Sequence, residues 1–89
     1  MIVSFDRSFS KSLDKLKDRQ IIGKLKELIM KMETVKSISD LPAVKPMKGH
    51  TGFFRVRLGD YRLGFEQTAH DEILLILIAH RKDIYKRFP

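Results

Sequence analysis

The stretch that decides the fold is Phe53-Phe-Arg-Val-Arg-Leu-Gly-Asp-Tyr-Arg-Leu-Gly-Phe-Glu66. Apolar and polar residues alternate on both sides of Gly59-Asp60, and this period of two is typical of strands with one buried face. A two-residue link of this kind between two alternating runs predicts a tight β-hairpin. In that hairpin Arg57 lies directly opposite Arg62, on the face that the apolar side chains leave free.

A strongly apolar run follows the hairpin. Glu72-Ile-Leu-Leu-Ile-Leu-Ile-Ala79 offers apolar side chains to both faces, which indicates a central strand covered on both sides. Together with the hairpin it forms a predicted three-stranded antiparallel meander. The chain then closes with residues 80–87 as a short helical turn or basic tail, and on a helical turn Arg81 and Tyr85 would share a face.

The N-terminal half predicts one strand and two helices. Ile2–Phe5 alternates like a strand, and Asp6 follows as a helix N-cap. Two amphipathic helices come next, separated by a break near Asp18, and the short connection indicates an antiparallel helix hairpin. Gly23, inside the second helix, is expected to mark close packing against another element. Residues 37–46 contain two prolines and are expected to form a loop or a partly extended passage.

The order of these elements gives the fold class. We expect a single α+β domain spanning residues 1–89, with both helices on one face of a mostly antiparallel sheet. The length of 89 residues allows one hydrophobic core.

Composition narrows the partner and the compartment. Eighteen Lys and Arg residues stand against 11 Asp and Glu, a formal net charge of +7 that favours a polyanionic partner, although it would also serve solubility alone. The chain has no cysteine, which excludes disulfides, thiolate metal sites and a cysteine nucleophile. No apolar run is long enough to span a membrane, and the N-terminus lacks the pattern of a signal peptide. We therefore expect a cytoplasmic protein without a membrane partner.

Three arginines on the hairpin are the first candidates for a site. Arg55 and Arg57 lie two apart on one strand, and Arg62 lies across the turn. Like charges directly opposite each other destabilise a sheet, so a bound phosphate is a natural compensation. Arginine guanidinium groups match phosphate oxygens with paired hydrogen bonds. The alternative is a solvated sheet face on which the arginine stems cover apolar neighbours.

Four segments resemble one known family, the RelE/ParE toxin superfamily. They are Lys45-Pro-Met-Lys-Gly49, Phe54-Arg-Val-Arg-Leu58, Gly59-Asp-Tyr-Arg-Leu63 and His80-Arg-Lys-Asp-Ile-Tyr85. The opening strand and the two basic helices are similar to the N-terminal half of the same family. The resemblance implies a RelE/ParE-like fold over residues 1–89 and the role of a bacterial type II toxin. In the RelE branch such toxins cleave mRNA in the ribosomal A site, and in the ParE branch they act on gyrase.

The resemblance also implies site residues. Arg62 and Arg81 would clamp the phosphate, and Tyr85 would stack on a base or share in proton transfer. The best-known members carry lysines where this chain has arginines at two strand positions, and arginine is a poor general base because it stays protonated. His80 is therefore a candidate substitute, whereas His50 and His70 are expected to take no part. The predicted catalytic residues are Arg57, Arg62, Arg81, Tyr85 and His80, and the predicted RNA-binding residues are Arg55, Lys45, Lys48 and Lys82.

The predicted function is a metal-independent, ribosome-dependent endoribonuclease that needs no cofactor. Its expected partners are mRNA, the ribosome and a cognate antitoxin, with which it would form a hetero-oligomer. Two alternatives remain open at this point: a ParE-like gyrase inhibitor, and a non-catalytic module that binds RNA or a partner. The retained Arg62, Arg81 and Tyr85 favour the nuclease, and the missing lysine base favours the non-catalytic module.

Overall fold

The α+β class and the order of the elements are confirmed by the computed structural model, which describes all 89 residues. The elements are β1 (Ile2–Phe5), α1 (Arg7–Lys15), α2 (Arg19–Thr34), a 3₁₀ turn (Ile38–Asp40), β2 (Val44–Pro46), β3 (Phe53–Leu58), β4 (Tyr61–Ala69), β5 (Glu72–His80) and α3 (Ile84–Arg87). The strands form one five-stranded sheet in the order β1-β5-β4-β3-β2. Strand β1 runs parallel to β5, and the other neighbours are antiparallel.

Strand β2 is the element that the sequence did not predict. It has three residues, ends at Pro46 and pairs with β3 at the edge of the sheet. Proline is tolerated on an edge strand because its missing N–H need not face a partner. A run of three residues is too short to show the alternation of a strand, so the sequence did not reveal it. With β2 the meander has four strands instead of three.

The predicted hairpin register is confirmed. Leu58 lies opposite Tyr61 and Arg57 lies opposite Arg62. Gly59 begins the turn with φ of 58°, a left-handed conformation that glycine adopts without strain. The two arginines therefore share one face of the sheet, since directly opposed residues of neighbouring strands point the same way.

The two long helices cover the other face of the sheet. Helix α1 contacts β5, and α2 contacts β1 and β3. Both begin at aspartate caps, of which Asp6 was predicted: Asp6 accepts a hydrogen bond from the Ser8 amide at 3.0 Å, and Asp18 accepts one from the Gln20 amide at 3.0 Å. Hydrogen bonds from the Ser8 hydroxyl and amide hold the pKa of Asp6 below its ordinary value. The helices bury Phe9, Leu16, Ile21, Leu25, Leu28 and Met32 against the sheet.

Strand β5 is apolar on both faces and contains a bulge. It has one extra residue relative to β4, Ile76, which reverses the facing of the residues that follow. The buried Ser12 hydroxyl joins α1 to this region, donating to the Phe9 carbonyl at 2.8 Å and accepting from the Ile78 amide at 3.0 Å. The predicted double coverage of β5 is thereby confirmed.

The second covering layer is the C-terminal helix. Ile84 and Phe88 are buried against Leu77 and Ala79 on the face opposite to α1 and α2. The Phe88 ring lies directly on Gly64, where a Cβ atom would stand 2.7 Å from two ring atoms. Only a glycine at that position lets the aromatic ring lie flat on the sheet. None of the three helices has both the length and the apolarity that a membrane crossing requires.

The expectation for Gly23 was wrong. The residue is exposed, and a Cβ atom added there would meet nothing within 4 Å. Glycine inside a helix costs about 0.5–1 kcal/mol relative to alanine, because it loses more backbone freedom on folding. With no close contact at position 23, nothing in the fold offsets that cost.

We therefore expect Gly23→Ala to stabilise the protein. A gain of about 0.5–1 kcal/mol corresponds to a rise of about 2–8 °C in the melting temperature of a domain this size. Thermal unfolding followed by circular dichroism measures it. Gly59→Ala is the contrasting control and should lower the melting temperature, since its φ is 58° and its Cβ would stand 3.2 Å from Ile21 Cδ1. If Gly23→Ala were less stable than wild type, the space around position 23 would not be open as the structure shows.

Candidate functional site

A basic cleft lies on the face of the sheet that α1 and α2 leave open. It encloses about 270 Å³, and no Asp or Glu lines it. We call it the arginine cleft. Its lining residues are Ala43, Lys45, Arg55, Arg57, Arg62 and Tyr85.

The strand register brings the four cations together. Lys45 of β2 lies opposite Arg55 of β3, and Arg57 of β3 lies opposite Arg62 of β4. Because Arg55 and Arg57 are two residues apart on one strand, both pairs point to the same face. Three neighbouring strands therefore present four positive side chains to one small volume, which is an arrangement suited to an anion.

Tyr85 completes the cleft from above the sheet. Its ring centroid lies 4.9 Å from Arg55 Cζ, a cation–π contact, and 60% of the residue is exposed. Arg55 also donates to Met47 Sδ at 3.6 Å. Ile84 in α3 and Phe88 just after it are both buried, which fixes the helix and holds the Tyr85 ring over Arg55.

Arg62 is anchored at the hairpin turn. Its Nη1 donates to the Gly59 carbonyl at 2.8 Å and to the Tyr61 carbonyl at 2.9 Å. These bonds hold one edge of the guanidinium group against the backbone.

Arg81 and Lys82 lie outside the arginine cleft. Both are exposed in the turn between β5 and α3, where the Arg81 amide donates to the Asp60 carbonyl at 2.8 Å. The expectation that Arg81 and Tyr85 share a helical face was wrong, because α3 begins only at Ile84. Arg81 does lie beside the β3–β4 turn, at the end of the sheet where Arg62 is anchored. The predicted roles of Arg81 and Lys82 stay predictions.

His80 faces away from the arginine cleft. It lies opposite Tyr61, whereas the preceding Ala79 lies opposite Arg62, so His80 belongs to the face that carries the long helices. Its ring packs edge-on against Tyr61 at 5.6 Å, and Nδ1 accepts from the Lys82 amide at 3.2 Å. Alternation along β5 could not reveal this placement, because the bulge at Ile76 reverses it.

Lys48 lies beside the arginine cleft, in an adjoining groove that also exposes His50. The sequence predicted Lys48 as an RNA contact and set His50 aside as a turn residue. Only the fold of residues 47–53 back against β3 brings the histidine to this face.

Comparison with known proteins agrees with this architecture. The family model described as "ParE toxin of type II toxin-antitoxin system, parDE" matches residues 3–85. The chain belongs to the RelE/ParE superfamily of type II toxins. Toxin RelE3 of Methanocaldococcus jannaschii is 34% identical to this toxin over an alignment of 90 positions that covers 100% of each chain.

Solved structures of related complexes share the fold of this toxin. The RelB-RelE antitoxin-toxin complex from Methanococcus jannaschii contains a chain that is 31% identical, with a TM-score of 0.82 over 97% of this toxin and 99% of that chain. The RelBE2 complex from Mycobacterium tuberculosis contains a chain that is 27% identical, with a TM-score of 0.67 over 90% and 96% of the two chains. The predicted family and fold are thereby confirmed.

Proposed function

We propose that this toxin is a metal-independent endoribonuclease that cleaves mRNA on the ribosome. The observation that carries the proposal is the arginine cleft, in which Arg55, Arg57 and Arg62 meet Tyr85 without a neighbouring carboxylate. Permanent positive charge without an internal counter-ion favours a phosphodiester over any neutral or cationic ligand. The strands hold the cations in place before substrate arrives, which is the condition for electrostatic stabilisation of a transition state.

The proposed chemistry is an internal transfer of the phosphoryl group. The 2′-oxygen of a ribose attacks the adjacent phosphorus, a 2′,3′-cyclic phosphate forms, and the bond to the 5′-oxygen of the next nucleotide breaks. One proton leaves the 2′-hydroxyl and one is delivered to the departing 5′-oxygen. Negative charge grows on the non-bridging oxygens of the phosphorane between these events, and Arg57 and Arg62 stabilise it.

Proton transfer falls to the remaining side chains of the cleft. Lys45 and Tyr85 are the two lining residues that can exchange a proton, since arginine stays protonated in proteins. Lys45 lies beside Arg55 on the edge strand, open to solvent on its other side. We assign the neutral amine of Lys45 the acceptance of the 2′-hydroxyl proton. The Tyr85 hydroxyl, whose ring also orients the departing nucleotide, delivers a proton to the 5′-oxygen as its bond to phosphorus breaks. The mechanism takes no proton transfer from His80, which lies on the other face.

Lys45→Arg separates charge from proton exchange. The variant keeps the positive charge of the cleft, so mRNA binding should be retained, but it cannot accept the proton. Positioned general bases contribute about 100- to 10,000-fold, so cleavage should fall by at least about 100-fold. Single-turnover cleavage of mRNA on programmed ribosomes measures the loss. Lys26→Arg, on the exposed face of α2, is the control, and an unchanged rate for Lys45→Arg would show that Lys45 acts by charge alone.

Expression without an antitoxin tests the function itself. We expect growth arrest, with new mRNA 5′ ends mapping inside codons that are being translated. Arrest with DNA damage and intact mRNA would instead support gyrase inhibition. A chain that leaves growth unaffected would support the non-catalytic module.

We also propose that a cognate antitoxin binds and neutralises the toxin. The related structures from two organisms are toxin–antitoxin complexes. In this chain Ile2 and Phe5 are 60% and 54% exposed on β1, an edge strand whose outer side is unpaired. A segment that covers this edge would bury apolar surface, and an acidic one would match the net charge of +7.

A further inference from the structure

A second, larger groove adjoins the arginine cleft on the same face of the sheet. It encloses about 570 Å³ and shares Lys45, Arg55 and Tyr85 with the cleft, so the two form one continuous depression. We call it the side groove. Its other lining residues are Pro46, Met47, Lys48, His50, Phe88 and Pro89.

The volumes of the two cavities suit different parts of a nucleic acid. Sites for small organic ligands enclose about 300–1,000 Å³, and the side groove falls within that range. The arginine cleft, at about 270 Å³, is smaller and carries three guanidinium groups, which suits a phosphate group. A chain with its phosphate in the cleft must place a neighbouring ribose and base alongside, and the side groove is the adjoining space of sufficient size.

The lining of the side groove has the chemistry of a surface that binds single-stranded RNA. Such surfaces combine cations for the backbone with aromatic faces on which bases stack. Lys45 and Lys48 supply ammonium groups, His50 and Tyr85 supply exposed rings, and no Asp or Glu lines the groove. The combination distinguishes it from the cavity beside the N-terminus, which is lined by Glu33 and Asp71.

The His50 ring is held in place by packing. It lies edge-on to Phe53 at 6.4 Å, and Phe53 lies edge-on to Phe88 at 6.0 Å. Phe88 is buried on Gly64, so the row of rings connects His50 to the core of the sheet. A ring that is already positioned loses little side-chain freedom when a base stacks on it.

From this arrangement we infer that the side groove binds the nucleotide next to the scissile phosphate, with its base on His50 and its outer phosphate on Lys48. The inference rests on the proposed function, because it takes the arginine cleft as the site of the scissile phosphate. It gives His50 and Lys48 a role in holding single-stranded RNA that is separate from the chemistry at Lys45, Arg57 and Arg62.

Binding of short, uncleavable ligands tests the inference. The probes are a trinucleotide of 2′-deoxynucleotides, which lacks the attacking hydroxyl, and inorganic phosphate, which has no base, each titrated into the full chain by NMR. Wild type should bind the trinucleotide more tightly than inorganic phosphate. His50→Ala should weaken trinucleotide affinity by about 5- to 150-fold, the loss expected for one stacked base, and leave the affinity for inorganic phosphate unchanged. Lys48→Ala should weaken the trinucleotide and reduce the salt dependence of its affinity.

Two control variants have substitutions at exposed positions that do not line the side groove. His70→Ala removes an imidazole and Lys26→Ala removes an ammonium group, and both should bind the probes like wild type. Suppose that His50→Ala and Lys48→Ala bind the trinucleotide as tightly as wild type, while Arg57→Gln binds both probes more weakly. The role of the side groove in nucleotide binding would then be refuted, and the proposed function would be unaffected. Failure of the wild-type chain to bind either probe would overturn the cleft and the groove together.

Discussion

Replacing Arg57 by glutamine is expected to slow mRNA cleavage by about 100- to 1,000-fold while making the protein more stable. Loss of one preorganised donor to a developing oxyanion typically costs that factor. Arg57 lies opposite Arg62, and like charges directly opposite each other destabilise a sheet, so neutralising one should raise stability by up to about 1 kcal/mol. Cleavage on programmed ribosomes and thermal unfolding measure the two effects.

The opposite signs make the Arg57→Gln result informative. A variant that loses activity through misfolding would unfold at a lower temperature, whereas loss of a substrate contact leaves the fold intact or improved. Lys26→Gln removes one positive charge from the exposed face of α2 and is the control for net charge alone. Retained cleavage in Arg57→Gln, or lost cleavage accompanied by a lower melting temperature, would contradict the role of Arg57.

Gly64→Ala is expected to lower cleavage by about 100-fold although position 64 carries no functional group. The added Cβ would lie 2.7 Å from atoms of the Phe88 ring, so the ring must move off the sheet and α3 must move with it. Tyr85 is three residues from Phe88, and a misplacement of about 1 Å in a catalytic group can cost about 100-fold. Overpacking should also destabilise the protein by about 1–3 kcal/mol.

A second substitution shows whether Gly64→Ala lowers cleavage by displacing Tyr85 or by destabilising the fold. Phe88→Leu offers a smaller side chain above position 64, so the double variant should recover most of the cleavage rate. Phe88→Leu alone is the control. It keeps Gly64 and measures how much cleavage and stability are lost when the Phe88 ring is replaced by the smaller leucine side chain. If the double variant were no more active than Gly64→Ala, the packing of Phe88 on Gly64 would not determine the position of Tyr85.

The contrast between β4 and β5 shows how far local pattern reaches. Along the hairpin, strict alternation around Gly59-Asp60 determined both the pairing of Arg57 with Arg62 and the face they share. Along β5, the same reasoning fails for His80, because one extra residue at Ile76 reverses the alternation without leaving a mark in an unbroken apolar run. A bulge is specified by what packs on the strand, here including the Ser12 hydroxyl on the Ile78 amide.

The sequence by itself determined the α+β class, the capped helices, the hairpin register and three of the cations of the arginine cleft, because periodicity, caps and turns act over a few residues. Tertiary structure alone decided that β2 carries Lys45 to the cleft, that α3 lays Tyr85 over Arg55, and that His50 rather than His80 lies on the same face. These placements depend on contacts between residues far apart in the chain, such as Phe88 on Gly64. Such contacts form only when the sheet and its covering layers exist.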